Sequence, residues 1–263
     1  MKELNLADRM KTYYENRSQT YLTRYTPVII RLDGCHFHTF AKKFDKPFDR
    51  IFAKTMQDTT KYLCEKIQGV KFAYTESDEI SLLLIDYNRN DLSIQTEAWF
   101  DYRVQKIVSV SASLATLAFN KFFVDNLKDT VIDTDDAIGK RLYNAYEKAI
   151  EEGATFDSRA FNLPKEEVGN YFVWRQVDAI RNSKSALGQA NYSQKVLNGL
   201  SSNQIIEKCK EELGIDWNDF KGEQKWGSIV TKVQVDGERP KWSINDNPQL
   251  FVGELRDFIE TLI

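Results

Sequence analysis

The sequence predicts an α+β fold: a ferredoxin-like βαββαβ core, an antiparallel sheet with helices on one face, followed by a C-terminal α/β extension. Three observations predict it. The β-branched run Val28-Ile29-Ile30 leads into Asp33-Gly34, a turn pair. Two short apolar segments flank Glu76-Ser77-Asp78-Glu79, as a hairpin requires. Two long segments, 48–67 and 100–123, place apolar residues every three or four positions, the helical period.

The elements follow in order. Residues 27–32 form the first strand, opened by Pro27 and closed by the Asp-Gly turn. Phe48, Phe52, Met56, Thr59, Leu63 and Ile67 line one side of a helix, with Asp49 near its start. Strands 70–75 and 80–85 make the hairpin. A helix over 100–123 buries Val104, Ile107, Val108, Ser111, Leu114, Ala115 and Ala118. Residues 154–163, stopped by Pro164, supply the fourth strand. Beyond it, 171–190 reads as a helix with Trp174, Val177 and Ile180 on one face, 227–235 as a strand and 250–263 as a terminal helix. The organisation expected is a core over 1–164 and an extension over 165–263 packed on it, without a sharp composition break between them. Trp99, Trp174 and Trp217 are expected as core anchors.

This order has a geometric consequence. A helix joins strands one and two, so they run parallel through a right-handed crossover, and strand three returns between them. The end of strand one and the hairpin turn then meet at one edge of the sheet. Asp33 and Asp78 hold those two places, far apart in sequence and neighbours in space.

Hydrophobic residues make up 42% of the 263-residue chain and charged residues 29%, proportions that fit a globular domain and exclude a disordered one. No stretch approaches the roughly 18 apolar residues of a membrane span, so no membrane partner is expected. Residues 1–14 carry charges of both signs without an apolar centre, which points to the cytoplasm. Cys35, Cys64 and Cys209 are odd in number and scattered, so a disulfide framework is not expected. Cys35, His36 and His38 lie together but lack a second ligand cluster for zinc. The net charge of −3 does not suggest a wholesale nucleic-acid binder. Charge is segregated, however. Residues 175–195 carry Arg175, Arg181, Lys184 and Lys195 against Asp178, and this run is the candidate RNA-binding face.

Two carboxylates at adjacent strand ends can hold divalent cations, because magnesium takes oxygen ligands and keeps several waters. Gly34 lets the backbone approach a metal or phosphate, and its carbonyl is a candidate third ligand. Ser77, buried in its turn, can donate to a phosphate, and Lys46 sits in a basic loop suited to a triphosphate. Taken singly, Asp-Gly and Ser-Asp-Glu are turns more often than sites. Their convergence at one sheet edge favours the functional reading.

The motifs Arg31-Leu32-Asp33-Gly34, His36-Phe37-His38-Thr39-Phe40, Lys46-Pro47-Phe48-Asp49, Ser77-Asp78-Glu79-Ile80-Ser81, Phe156-Asp157-Ser158-Arg159 and Trp174-Arg175-Gln176-Val177-Asp178 resemble those of tRNA-His guanylyltransferase and its Thg1-like relatives. The resemblance implies a polymerase-palm core that adds nucleotides to the 5′ end of tRNA, 3′ to 5′. It implies two Mg2+ held by Asp33, Asp78 and the Gly34 carbonyl. It implies nucleotide contacts from Asp33, Gly34, Cys35, His36, Phe37, His38, Ser77 and Asp78, triphosphate binding by Lys46, and a second nucleotide near Arg103 and Lys106. The tRNA 5′-phosphate would be activated by ATP or by an existing triphosphate, with GTP or another nucleoside triphosphate incoming, in a homotetramer. One position departs. Where the tRNA-His enzymes keep a histidine tied to the anticodon, this chain has Ile180, which points to the Thg1-like branch that repairs truncated tRNA 5′ ends. Competing readings are tRNA-His guanylyltransferase proper, a palm-type nucleotide cyclase, and a non-catalytic RNA-binding module. Ile30, Leu32, Leu82 and Leu84 stand where such a module would display aromatic residues.

Overall fold

The structure is a computed structural model that describes residues 4–88, 90–93, 96–234 and 236–263. The chain runs through α1 (Leu6–Tyr13), β1 (Val28–Gly34), α2 (Phe37–Phe40), α3 (Arg50–Lys66), β2 (Val70–Glu76), β3 (Glu79–Leu84), α4 (Val104–Lys128), α5 (Ala137–Glu152) and β4 (Phe156–Asn162). It continues through α6 (Lys165–Asn191), α7 (Gln194–Leu197), α8 (Ser202–Leu213), α9 (Gly222–Trp226), β5 (Ser228–Val233), β6 (Lys241–Asn245) and α10 (Glu254–Leu262). The strands form one sheet in the order β4-β1-β3-β2-β5-β6, every neighbouring pair antiparallel. β1 and β2 both pair with β3 and therefore run parallel to each other, as the crossover predicts.

Alternation along β1 sorts its side chains to two faces. Val28, Ile30 and Leu32 join Ile80, Leu82 and Leu84 against α3 and α4. Ile29 joins Leu83, Phe72 and Tyr74 against Val168, Tyr171 and Phe172 of α6 and Ile259 of α10. The core helices thus share one face, as expected, while the extension covers the other and lengthens the sheet with β5 and β6. Every residue of β3 is consequently buried. The far half of α6 leaves the sheet and packs with α7 and α8 around Leu187, Leu197, Ile205, Cys209 and Trp217.

Local chemistry sets the boundaries. Asp49 caps α3 by accepting from the Phe52 amide at 2.8 Å. The helix predicted from residue 100 begins at Val104, because Phe100, Asp101 and Tyr102 adopt φ of 53°, 52° and 55°. That left-handed region costs an ordinary side chain energy and cannot continue a helix. Contrary to the expectation that no stretch approaches a membrane span, α4 is by length and composition apolar enough to cross one. Its row from Ile107 through Ser111, Ala115, Phe119 and Phe123 to Leu127 is instead buried against the sheet. Trp99 and Trp217 are buried, as expected. Trp174 is half exposed, because it faces away from the sheet on α6, so the core-anchor reading fails there. The last residue of the strand predicted over 227–235 lies outside the described residues.

Candidate active site

The site forms where β1 ends. The Gly34 amide donates to the Asp78 carbonyl at 3.1 Å, and the Cys35 amide donates to the Thr155 carbonyl at 2.9 Å. Asp33 lies opposite Glu79 on one side and Asp157 on the other. These bonds draw Asp33, Gly34 and the Ser77-Asp78 turn to one sheet edge. A Cβ on Gly34 would stand 2.3 Å from the Phe37 ring, so only glycine fits this close approach. Ser77 is exposed rather than buried, because its φ of 49° turns the hairpin tip toward solvent.

Burial raises the Asp78 carboxyl above its ordinary value, and the nearby Asp33 charge adds to the shift. The two carboxylates repel, the electrostatic condition for a shared cation. Among the described residues no group of three or more His, Cys, Asp and Glu side chains is placed to hold a metal ion by itself. A cation on Asp33 and Asp78 would complete its shell with the Gly34 carbonyl, water and substrate oxygens. Arg159 approaches Asp33 at 4.0 Å from β4 and Asp157 at 3.5 Å.

Beside Asp78 opens a cavity of about 360 Å³, whose lining does not include Asp33. Its walls include Phe37, His38, Lys46, Ser77 and Asp78 from the core, and Asn182 and Lys225 from the extension. Lys46 is exposed, its Nζ donating to the Ala41 carbonyl at 3.1 Å. His38 is exposed and pairs through Nε2 with the Thr39 hydroxyl at 3.1 Å. His36 adopts a left-handed φ of 59° at the start of α2. The Phe37 ring packs against Phe40, Phe119 and Phe156 at 5.1–5.3 Å. It forms the floor of the cavity and serves the core at the same time.

Three expected binders lie elsewhere. Arg175 is buried, not available to RNA. It donates to Glu79 at 2.6 Å and to Asp178 at 2.8 Å, and reaches Glu76 at 3.4 Å. The sequence showed a cation in a basic run, whereas the fold supplies it with three carboxylates. Arg103 and Lys106 stand at the opposite end of the sheet. Tyr21 bridges Arg103, the Leu22 amide bonds the Tyr102 carbonyl, and the Thr23 amide bonds Asn162. Asn162 pairs with Val28, five residues before Asp33, or about 17 Å at about 3.3 Å per residue. Within one chain these two cations do not join the aspartates. Arg181 is exposed and pairs with Asp178 at 2.9 Å. Lys184 bonds Asn203 at 2.8 Å and lies over the Trp217 ring at 4.9 Å.

Sequence reasoning missed the layer behind the turn. Glu76 and Glu79 are both buried, and burial together with Glu79 lifts the Glu76 carboxyl to about 8. Arg175 ties this pair to α6 and so braces the hairpin that carries Asp78. It missed Asn182 and Lys225 as well. Both line the cavity together with Asp78, more than a hundred positions away in sequence, a proximity that no local pattern encodes.

An antiparallel sheet with two carboxylates at the ends of its central strands, beside a lysine-bearing cavity, has the make-up of a site for nucleotidyl transfer, and the family of the chain is one of nucleotidyltransferases. The chain belongs to the tRNAHis guanylyltransferase (Thg1) family, whose model matches residues 7–164. It is 38% identical to a bacterial tRNA(His) guanylyltransferase (Thg1)-like protein solved in complex with ATP, with a TM-score of 0.80 over 98% of both chains. A bacterial Thg1-like protein solved with GTP gives 35% identity and a TM-score of 0.73, again over 98% of each. The tRNA(His) guanylyltransferase of Saccharomyces cerevisiae is 30% identical over 78% of this chain and 82% of its own length.

Proposed function

We propose that this enzyme restores missing nucleotides at the 5′ end of tRNA, building in the 3′-to-5′ direction and choosing each nucleotide by pairing with the opposite strand. The juxtaposition of Asp33 and Asp78 by the Gly34–Asp78 bond carries the proposal. Two Mg2+ ions would suit this place, since the donors are oxygen atoms and the Asp33 charge disfavours that of Asp78. When bound they supply positive charge to the triphosphate and to the reacting phosphate. Asp33 and Asp78 would hold them. The backbone from Gly34 to His38 and the Ser77 hydroxyl line the triphosphate path, and Lys46 adds a cation. The solved complexes of the bacterial relatives support ATP and GTP as substrates; in this reading ATP or an existing triphosphate activates the 5′-phosphate, and GTP or another nucleoside triphosphate is incoming.

Ile180 favours repair over addition of a single guanosine to tRNA-His. Its side chain packs into the third hydrophobic cluster, with Leu187, Ile205 and Trp217, and carries no polar atom for reading a base. The test is incubation with labelled GTP, magnesium and a tRNA lacking its first nucleotide. A 5′-extended tRNA is expected. Conversion of the triphosphate without RNA would favour a cyclase instead.

A further inference from the structure

The face of the sheet that carries Asp33 also carries Ile29 and Arg31, by strand alternation. In register on that face lie Phe161, Arg159 and Asp157 of β4, and Leu83, Ser81 and Glu79 of β3. α6 crosses it on two anchors. The Tyr171 hydroxyl hydrogen-bonds the Ser81 hydroxyl at 2.7 Å, its ring 5.9 Å from Phe161. One turn later Arg175 grips Glu79.

Trp174 falls between these anchors and turns outward. Its ring lies 5.9 Å from Tyr171 and 4.6 Å from the Arg175 guanidinium, which hold its position, yet half of the residue is exposed. Val177 and Arg181, one and two turns further, are exposed as well. Arg159, 51% exposed, stands on the same side of the sheet, at 4.0 Å from Asp33. β4 is the sheet's outer strand, so this surface is open to a large ligand. A fixed, solvent-facing indole on the helix that covers the Asp33 face, with Arg181 two turns along the same helix and Arg159 beside Asp33, has the chemistry of a nucleic-acid platform. An aromatic ring offers a base a stacking surface, and arginines hold phosphates. The acidic groups of the site and the cations beside it disfavour an apolar peptide.

We propose that Trp174 stacks on the terminal base pair of the tRNA acceptor end, with Arg159 and Arg181 on the adjoining phosphates, so that the 5′ end is delivered to Asp33. The inference rests on the reading that the enzyme acts at tRNA 5′ ends.

The experiment compares the wild-type enzyme with Trp174→Ala and Trp174→Phe, measuring affinity for a 5′-truncated tRNA, affinity for GTP, and intrinsic tryptophan fluorescence. Trp174→Ala should weaken tRNA binding by roughly 5- to 150-fold, the usual worth of one base–aromatic stack, and leave GTP affinity unchanged. Trp174→Phe should keep most of the tRNA affinity and lose the fluorescence quenching that tRNA causes in the wild type. If Trp174→Ala fails to fold, as lost GTP binding would reveal, the quenching lost in Trp174→Phe decides. Unaltered tRNA affinity in folded Trp174→Ala, or unaltered quenching in Trp174→Phe, overturns the stacking role while leaving 5′ extension standing. A wild-type enzyme that neither binds nor extends tRNA overturns both.

Discussion

The backbone amide of Gly34 donates to the carbonyl of Asp78 across 3.1 Å, fastening the end of β1 to the turn between β2 and β3. Through this bond two carboxylates remote in sequence become one site. Asp33→Ala and Asp78→Ala should each cut nucleotide addition by about 10²–10³-fold or more, because each removes charge held against the reacting phosphates. The fold should survive, as neither side chain belongs to the hydrophobic core. Steady-state rates with thermal unfolding of the same samples check this. Near-normal turnover by either folded variant contradicts the account.

Gly34→Ala tests the fastening itself. The new methyl would meet the Phe37 ring at 2.3 Å, so ring or strand end must move. Overpacking of this kind costs about 1–3 kcal/mol. Activity should fall much further than that loss of stability explains. A fully active Gly34→Ala enzyme would show that the close approach is dispensable.

Arg175→Ala should destabilise the protein by about 3–5 kcal/mol, since it strands Glu79 and Glu76 without their buried partner. Arg175→Met, which restores volume without charge, cannot repair that. Neither variant should alter the salt dependence of tRNA binding beyond the effect of lost folded protein. A flattened slope in a well-folded variant would return Arg175 to the RNA interface.

Lys46→Ala should raise the triphosphate concentration needed for half-maximal rate and spare the chemistry of addition. Lys46 is an exposed cation whose Nζ donates to the Ala41 carbonyl. An unchanged dependence on triphosphate would remove it from the site.

Much of this was legible in the sequence, for physical reasons. The core strands and α3 are set by local signals: β-branched runs, the Asp49 cap and the three-to-four period. The crossover rule then placed Asp33 beside Asp78 without any structure. α5 escaped notice although Leu142, Ala145, Tyr146 and Ala149 repeat at helical spacing behind the Asp136 cap. β6 is a short alternating strand at the sheet's outer edge and gives a weaker signal. The fate of Arg175 could not be read, because Glu76 and Glu79 reach it across more than ninety residues. Trp174 misled for a similar reason: composition says that tryptophan is buried on average, and only the path of α6 decides which way this one turns.

Arg181 and Lys184 should contribute phosphate contacts to tRNA. Neutralising both should weaken binding to any tRNA sequence and flatten the salt dependence by about 0.7–0.9 log units per lost contact per log unit of salt. Affinity for free nucleotide should not change. Wild-type salt dependence in the double variant would place the basic face elsewhere.

The most direct measurement supplies truncated tRNAs that differ in the base opposite the missing 5′ nucleotide, with and without the histidine anticodon, in competition, and sequences the nucleotide added. Because Ile180 is packed in a hydrophobic cluster and offers no polar contact, the account predicts that the added base pairs with the opposite strand in each tRNA and that the anticodon makes little difference. A large preference for the histidine anticodon, or guanosine added opposite bases it does not pair with, would contradict it.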